Sequence, residues 1–456
     1  MSYRVKPIIA AAFAAIILTV TAPVAQSETL ADTLIKAYKH SGLLEQNRAL
    51  LRAADENVAQ AVATLRPVIN YYVKAQNANF RDRNGDYLTA NAGLQASLLL
   101  MDGGGSKLAI DGAKETVLAT RQGLINVEQS VLLRAVSAYM NVRRDNEFVA
   151  LRHNNVRVIT QQFRAAKDRL EVGEVTRTDV SLAESRLALA RANLAAAQGN
   201  LARSREEYRA AVGHYPKALR GAPKAPATAK SLDAARAIAY RSHPMMKKIQ
   251  HDIAAAEIAV LRANASMKPT LSLKGGLDFN QAGNENASIG LELGGPIYHG
   301  GKLSSLYRQS IARRDAARAG LHITRHDIAQ GVGNAWAGLA VSRATLEAST
   351  RQIRAARVAF NGVKEEATLG ARTTLDVLNA EQELLNAKAN RISAITDQYI
   401  ATYSLLSAMG LLTVDHLKLG IRTYDPAAYY NAVRNAPADS TQGKRLDRVL
   451  RALGKK

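Results

Sequence analysis

Two short patterns in the sequence resemble sites that do chemistry. His322 and His326 lie four residues apart on a predicted helix, a spacing that can hold a divalent metal ion. No glutamate lies between them, however, and the sequence shows no third ligand. The glycine-rich run at residues 102–107 is only superficially similar to a phosphate-binding loop, because it lacks the G-x-x-x-x-G-K order. We therefore predict no enzyme activity, no cofactor and no metal site.

Composition excludes two further classes of function. Cysteine is absent, which rules out disulfides, thiol chemistry and cysteine-based metal sites. The net charge is +22, but Lys and Arg are spread among Glu and Asp, and aromatic residues make up only 5% of the chain. Dispersed charge is typical of solvated helix faces, so we predict no nucleic-acid partner.

The N-terminus predicts export from the cytoplasm. Arg4 and Lys6 precede an apolar run at residues 8–20, and small residues then lead to Ser27. This order is that of a secretory signal peptide, predicted at residues 1–27. No later run approaches the roughly 20 apolar residues that a transmembrane helix needs, so any membrane-spanning segment of the mature chain should be a strand.

The rest of the chain is a tandem duplication. A shift of 197 residues aligns residues 102–213 with 299–410 without a gap. The alignment predicts two units, at residues 28–215 and 231–412, with a linker at 216–230 and a basic C-terminal tail at 413–456. From residue 424 onward we expect a periplasmic tail that is either free in solvent or wrapped around the equator of the helical cylinder. Glycines coincide at Gly103/Gly300, Gly104/Gly301, Gly123/Gly320, Gly173/Gly370 and Gly213/Gly410.

Long helices are predicted where proline is missing, at residues 68–215 and 297–425, because an interior proline costs a helix about 3 kcal/mol. One helix should run from about residue 107 to 170, near 95 Å at about 1.5 Å per residue, too long for a globular core. Gly173 and Gly370 should mark the tips of helical hairpins. Apolar residues follow a heptad seam after the first tip, at Val180, Ala183, Leu187, Ala190, Leu194, Ala197, Leu201 and Tyr208, with Ser204 as its polar member.

Each unit also contains two predicted strands, at about residues 68–76 and 87–98 in the first and 270–279 and 287–293 in the second. Their alternation of apolar with small polar residues is typical of a strand between lipid and a wet lumen, although a hairpin packed on a soluble core shows it too. Four strands cannot close a barrel. Two chains would supply eight strands and three would supply twelve, with room for a lumen, and we favour three.

The chain resembles the TolC family of outer-membrane efflux and secretion channels. The resemblance rests on two strand-to-helix turns, at residues 101–104 and 298–301, and on the paired blocks 172–180 and 369–380. It implies a mixed α and β membrane protein in the outer membrane of a Gram-negative bacterium. Three chains would form a 12-stranded β-barrel continued by an α-helical periplasmic barrel. Without a lipid-acceptor cysteine, the chain resembles the non-lipidated branch.

The resemblance also implies partners and a gate. The partners would be a periplasmic membrane-fusion adaptor and an inner-membrane pump of the RND type or an ABC exporter. Asp179 and Arg372 match residues that keep the periplasmic mouth closed, and Asp376 matches an acidic ring that lines it. The alternative is that these are ordinary hairpin-end charges. Adaptor docking is expected at the tips, namely Gly173, Glu174, Val175, Leu369, Gly370 and Ala371, and sharp strand-to-helix turns are expected at Gly103, Gly104, Gly300 and Gly301.

Two positions depart from the best-known gates of the family. Ala367 stands where such gates carry a tyrosine, and Asn379 stands where they carry an aspartate. We therefore expect fewer bonds between the coils and one acidic ring rather than two. Replacing Arg372 with serine should make the channel leak.

The predicted function is an outer-membrane channel of a tripartite efflux pump, a type I secretion system, or both. Its cargo would be small toxic compounds, such as antibiotics, dyes, detergents and bile salts, or proteins. The alternative is a periplasmic coiled-coil scaffold without a pore. The sequence contains no signal that chooses among these cargoes.

Overall fold

The computed structural model describes residues 27–79, 86–436 and four single residues of the C-terminal tail, Lys444, Arg448, Arg451 and Ala452. Nearly all of the predicted signal peptide, part of the first hairpin loop and most of the tail lie outside the described residues.

Two sets of elements follow one another in the same order, which confirms the predicted architecture of two repeats of a β-hairpin and long helices. Each set has two short helices, two strands and two long helices. The first is α1 (Leu30–His40), α2 (Gly42–Ala63), β1 (Val68–Asn79), β2 (Asp86–Met101), α3 (Gly105–Glu171) and α4 (Arg177–Val212). The second is α5 (Leu232–Ser242), α6 (Pro244–Ala265), β3 (Thr270–Asn280), β4 (Glu285–Gly294), α7 (Lys302–Thr368) and α8 (Thr374–Ala408), and α9 (Pro426–Val433) follows.

The long helices form two hairpins that lie side by side. Helices α3 and α7 have 67 residues each, which at about 1.5 Å per residue makes each about 100 Å long. α3 packs on α4 and α7 packs on α8, while α3 also packs on α8, so the helices lie in the order α4, α3, α8, α7. Across the described ranges, no helix combines the length and the hydropathy needed to cross a membrane.

The heptad seam of α4 packs much as its spacing predicts. Val180 and Leu194 are only partly buried, and the other predicted members are buried, namely Ala183, Leu187, Ala190, Ala197, Leu201, Ser204 and Tyr208. Near the tips, Leu187 and Ala190 share a small apolar cluster with Ile159 of α3 and Leu378 of α8. This cluster joins the first hairpin to the second.

The four strands form one antiparallel sheet in the order β1-β2-β3-β4. Its register places side chains of like polarity on the same face. One face is apolar and exposed in the chain; it includes Ile69, Tyr71, Val73, Leu94, Leu277, Phe279, Ile289, Leu291 and Leu293. The opposite face is polar; it includes Asn70, Tyr72, Lys74, Gln95, Ser97, Lys274, Asp278, Ser288 and Glu292. The sheet therefore has two faces suited to different surroundings.

Of the two expectations for the tail, free in solvent or wrapped around the helices, residues 424–436 follow the second. The backbone N–H of Tyr424 donates to the hydroxyl of Tyr38 at 3.3 Å, and α9 packs against α2. The guanidinium of Arg48 lies 5.1 Å from the ring centre of Tyr38 and 5.4 Å from that of Tyr424. The tyrosines of this segment supply aromatic surface that arginines of the helices cover. The segment itself carries one acidic and one basic residue, Asp425 and Arg434, and so has no net charge that would keep it in solvent.

Candidate gate at the hairpin tips

Both hairpin tips are built in the same way. Gly173 has φ 79° and Gly370 has φ 78°, a left-handed conformation that favours glycine, and each ends a long helix. The following helix then begins after a threonine whose side chain caps it. Val172 and Leu369, beside the two glycines, are 71% and 84% exposed. The tips thus present apolar side chains to their surroundings.

Asp179 and Asp376 are part of the helix caps. The backbone N–H of Thr176 donates to Asp179 Oδ2 at 3.0 Å, and the backbone N–H of Asp179 donates to Thr176 Oγ1 at 3.3 Å. Thr373 and Asp376 make the same pair of bonds at 3.0 and 3.2 Å. The backbone bond from the threonine is the main cause that lowers the pKa of each aspartate. Both carboxyls are therefore held ionised at the first turn of their helices.

An ion pair crosses each tip, and its polarity is reversed between the two repeats. In the first hairpin Arg169 precedes the turn and its Nε lies 3.9 Å from an oxygen of Glu174. In the second hairpin Glu366 precedes the turn and its Oε2 lies 2.8 Å from Nε of Arg372. Arg372 is therefore paired within its own hairpin, and among the described residues no ion pair joins it to Asp179.

The remaining predicted tip residues are placed as follows. Glu174, Gly370 and Ala371 are exposed, while Val175 is partly buried. Ala367 lines a groove of about 230 Å³ between α3, α7 and α8. The groove also contains Arg372 and Leu378 and lies where a larger side chain at position 367 would project. The small side chain of Ala367 thus leaves a space beside the candidate gate.

Among the described residues, side-chain bonds join the first hairpin to the second, and the sequence did not predict them. Gln162 Nε2 on α3 donates to Glu381 Oε2 on α8 at 2.6 Å. Arg186 Nη2 on α4 donates to Asn379 Oδ1 on α8 at 3.0 Å. The sequence marks Glu381 only as the repeat counterpart of Glu184, and spacing alone cannot show which helix faces it. Asn379 is thus a predicted gate residue that a hydrogen bond connects to the neighbouring hairpin of the same chain.

At the other end of the long helices, glycines make the sharp strand-to-helix turns. Gly103, Gly104, Gly300 and Gly301 all have positive φ, from 57° to 90°. Asp102 completes the first turn, because its Oδ2 accepts from the backbone N–H of Ser106 at 2.5 Å and from its hydroxyl at 2.6 Å. The glycine-rich run thus serves as a helix start. His322 and His326 both lie exposed on α7.

The sequence pattern of the family described as outer membrane efflux protein matches residues 34–214 and 235–411. The chain belongs to the outer membrane efflux protein family. It is 36% identical over 441 residues to the outer membrane efflux protein BepC of Brucella suis, covering 94% of this chain and 96% of that protein. It is 25% identical to the outer membrane protein TolC of Vibrio cholerae, covering 85% and 92% of the two chains.

Secretion proteins and solved channels are also similar to this chain. The alkaline protease secretion protein AprF of Pseudomonas aeruginosa is 25% identical, over 61% of this chain and 60% of that protein. The structure of CusC superposes with a TM-score of 0.76 at 17% identity, covering 84% and 92% of the two chains. The open state of the MtrE outer membrane channel of Neisseria gonorrhoeae gives a TM-score of 0.70 at 18% identity, covering 84% and 88%.

The predicted resemblance to the TolC family is confirmed. The chain is an outer-membrane channel of the efflux and secretion class, and it is a transport protein rather than an enzyme.

Proposed function

We propose that three copies of this chain assemble into one export duct, in which each sheet supplies a third of a closed β-barrel. The observation that carries this is the two-faced sheet, with an apolar face, a polar face and two edge strands, β1 and β4. Edge strands cannot remain unpaired in lipid, because their backbone N–H and C=O groups would lack hydrogen-bond partners. Pairing β1 of one copy with β4 of the next satisfies both edges, and three copies give a barrel of twelve strands around a polar lumen.

Cell fractionation combined with electrophoresis tests this assembly. The protein should sediment with the outer membrane, resist extraction by high salt, and run as a trimer that dissociates on heating. Extraction by salt as a monomer would contradict the proposal and would favour the periplasmic scaffold.

The helical hairpins continue the wall into the periplasm, and we place the gate at their tips. Asp179, Arg372 and Asp376 lie within the first turns after Gly173 and Gly370, where three copies would converge on one axis. A ring of ionised carboxylates attracts cations and repels itself, so the arginine beside it stabilises the closed arrangement. The reversed ion pairs of the two tips support this, because they make the two hairpins of each copy electrostatically different.

Single-channel recording tests the gate. Arg372→Ser should raise the resting conductance in planar bilayers, since it removes the cation paired with Glu366 and leaves the nearby carboxylates unbalanced. Arg169→Ser is the matched control: it breaks the corresponding pair of the first hairpin and should leave the conductance near that of the wild type. Equal conductance in the wild type and in Arg372→Ser would show that the gate lies elsewhere.

The duct would receive its cargo from a periplasmic adaptor and an inner-membrane pump or exporter that dock at the exposed tips. Its relatives include proteins named for efflux and for protease secretion, which supports either type of partner. Deleting the gene and comparing sensitivity to bile salts, dyes and antibiotics with the profile of secreted proteins separates the two cargo classes.

A further inference from the structure

We propose that the terminal basic segment, residues 444–456, binds anionic phospholipids at the periplasmic surface of the outer membrane. The inference rests on the proposed duct, which places the sheet in that membrane. It adds a membrane contact outside the barrel wall, one for each copy of the chain.

The described chain after residue 424 follows α2 in the direction of the sheet. Beside the first part of α2, the guanidinium of Arg48 lies 5.4 Å from the ring centre of Tyr424. Further along, the Tyr429 hydroxyl donates to Glu56 Oε1 at 2.6 Å. α9 therefore runs in the same direction as α2 and packs on it.

Arg66 holds the end of this stretch beside the first strand. Its guanidinium donates to the backbone carbonyls of Asn435 and Ala436. Arg66 lies two residues before Val68, where β1 begins. Because β1 is a wall strand of the proposed duct, these contacts place Ala436 where the barrel meets the periplasm.

The chain beyond Ala436 is long enough to reach the membrane surface and too short to reach the hairpin tips. Eight residues lead to Lys444, which therefore lies within about 30 Å of Ala436 at about 3.5 Å per residue. Even fully extended, the 20 residues to the C-terminus span only about 70 Å, whereas the tips end helices about 100 Å long. Any partner of the terminal basic segment therefore lies away from the tips.

The described residues of the segment form a basic helix face. Lys444, Arg448 and Arg451 have a helical backbone and exposed side chains. Their spacings of four and three residues place them on one side of a helix. The segment has three more basic residues and one acidic residue, namely Arg445, Lys455, Lys456 and Asp447. It therefore carries a strong positive charge.

The sequence pattern places an apolar stripe opposite these charges. Four apolar residues follow the three- and four-residue spacing of one helix face, namely Leu446, Val449, Leu450 and Leu453. At about 100° per residue, this face is centred about 180° from that of Lys444, Arg448 and Arg451. Such a pattern is typical of helices that lie in the plane of a membrane surface.

Anionic phospholipid satisfies both faces of such a helix. Its head groups attract Lys and Arg near the surface, and its acyl chains take up the apolar side chains. Peptidoglycan also carries carboxylates, but it offers no apolar phase, so it would account for the charges and not for the apolar stripe. Three copies in one duct place three such segments around the base of the barrel, where they hold the helices at a fixed depth against the membrane.

Labelling of single cysteines in the full-length trimer, reconstituted into nanodiscs, tests this contact. Leu450→Cys lies on the apolar face. It should react with a water-soluble maleimide at least about tenfold more slowly in nanodiscs that contain phosphatidylglycerol than in nanodiscs of phosphatidylcholine alone. Arg448→Cys lies on the basic face and should react at similar rates in both. High salt should reduce the protection of Leu450→Cys, because the attraction is electrostatic.

Charge variants in the Leu450→Cys background show whether the basic face causes this protection. Combining Arg445→Gln, Arg448→Gln and Arg451→Gln should abolish it. The matched control combines Arg351→Gln, Arg354→Gln and Arg357→Gln, which remove the same charge from exposed positions of α7, more than about 70 Å from the start of that helix. The control should keep the protection.

Equal reaction rates of Leu450→Cys in the two kinds of nanodisc would overturn the proposal. Slow reaction in detergent as well would show that the segment packs on protein, and protection that requires added peptidoglycan would show that the cell wall is its partner; both results contradict a lipid contact. If the wild type forms no heat-modifiable trimer, the proposed duct fails. Trimers in which Leu450→Cys is unprotected refute the membrane contact alone.

Discussion

At the scale of single residues, Asp55 couples the stability of the fold to pH. It is fully buried on α2, and both of its carboxyl oxygens lack hydrogen-bond partners among the described residues. Burial raises the pKa of Asp55 to about 6, although the nearby Arg121 opposes this shift. Because the folded state favours the protonated form, stability is highest below the ordinary pKa and declines as the pH rises from there to about 6.

Asp55→Asn should therefore stabilise the protein at neutral pH, by about 1 to 3 kcal/mol, because it removes the buried charge. Thermal unfolding of the detergent-solubilised protein at acid and neutral pH measures this. The variant should melt higher than the wild type at neutral pH and show less dependence on pH. Asp111→Asn, which alters an exposed carboxyl paired with Lys114, is the control and should change little. A lower melting temperature of Asp55→Asn at neutral pH would contradict the assignment.

Whether the role of a residue can be predicted from the sequence depends on how far along the chain its partner lies. The capping roles of Asp179 and Asp376 follow from a threonine three residues earlier, so a local pattern contains enough information to find them. The bond between Gln162 and Glu381 joins residues 219 positions apart. No local spacing predicts such a contact, because it depends on which helices become neighbours.

At the scale of elements, a glycine in β2 allows side chains of the two neighbouring strands, β1 and β3, to contact each other. Tyr72 of β1 and Asp278 of β3 are both in register with Gly93 of β2, and the Tyr72 hydroxyl donates to the Asp278 carboxylate across it. A Cβ atom at Gly93 would lie 2.5 Å from the carbonyl oxygen of Leu277 and 2.9 Å from Cε1 of Tyr72. The missing side chain allows the bond that joins the strands of the first repeat to those of the second.

Gly93→Ala should therefore weaken the sheet and reduce the yield of assembled trimers, because the added methyl group displaces Tyr72 or the backbone of β3. Gly290→Ala is the matched control, since a Cβ atom at this strand position meets nothing within 4 Å. Heat-modifiable mobility on electrophoresis compares the two variants. Similar trimer yields for both would mean that the contact across Gly93 is not needed for assembly.

Much of the element structure was predictable because its causes are local. The absence of proline predicts the two very long helices, which end within a few residues of the expected positions. The alternation of apolar with small polar residues predicts the strands. The packing of residues 424–436 was not predictable in this way. The basic composition of the whole tail, residues 424–456, suggests a solvated segment. Tyr424 and Tyr430, however, contact arginines of helices that are distant in sequence.

At the scale of the whole molecule, the duplication produces two similar halves with different roles. Each repeat supplies two strands to the sheet and one long hairpin. The halves differ where they meet: α8 packs along α3 of the first repeat, whereas the corresponding helix α4 contacts the second repeat at only a few positions near the tips. This difference explains why Glu381 is buried and Glu184 is not. A gate that moves only the second hairpin would use this asymmetry.

The central claim is that the sheet is the wall of a water-filled pore, with lipid on its apolar face. Labelling of single cysteines tests it directly, because the natural chain has none. Gln95 and Leu94 are neighbours on β2, both exposed in the chain but on opposite faces of the sheet. In the membrane-inserted protein, Gln95→Cys should react with a water-soluble maleimide, whereas Leu94→Cys should be protected by lipid. Equal labelling of both cysteines, or the reverse preference, would contradict the claim.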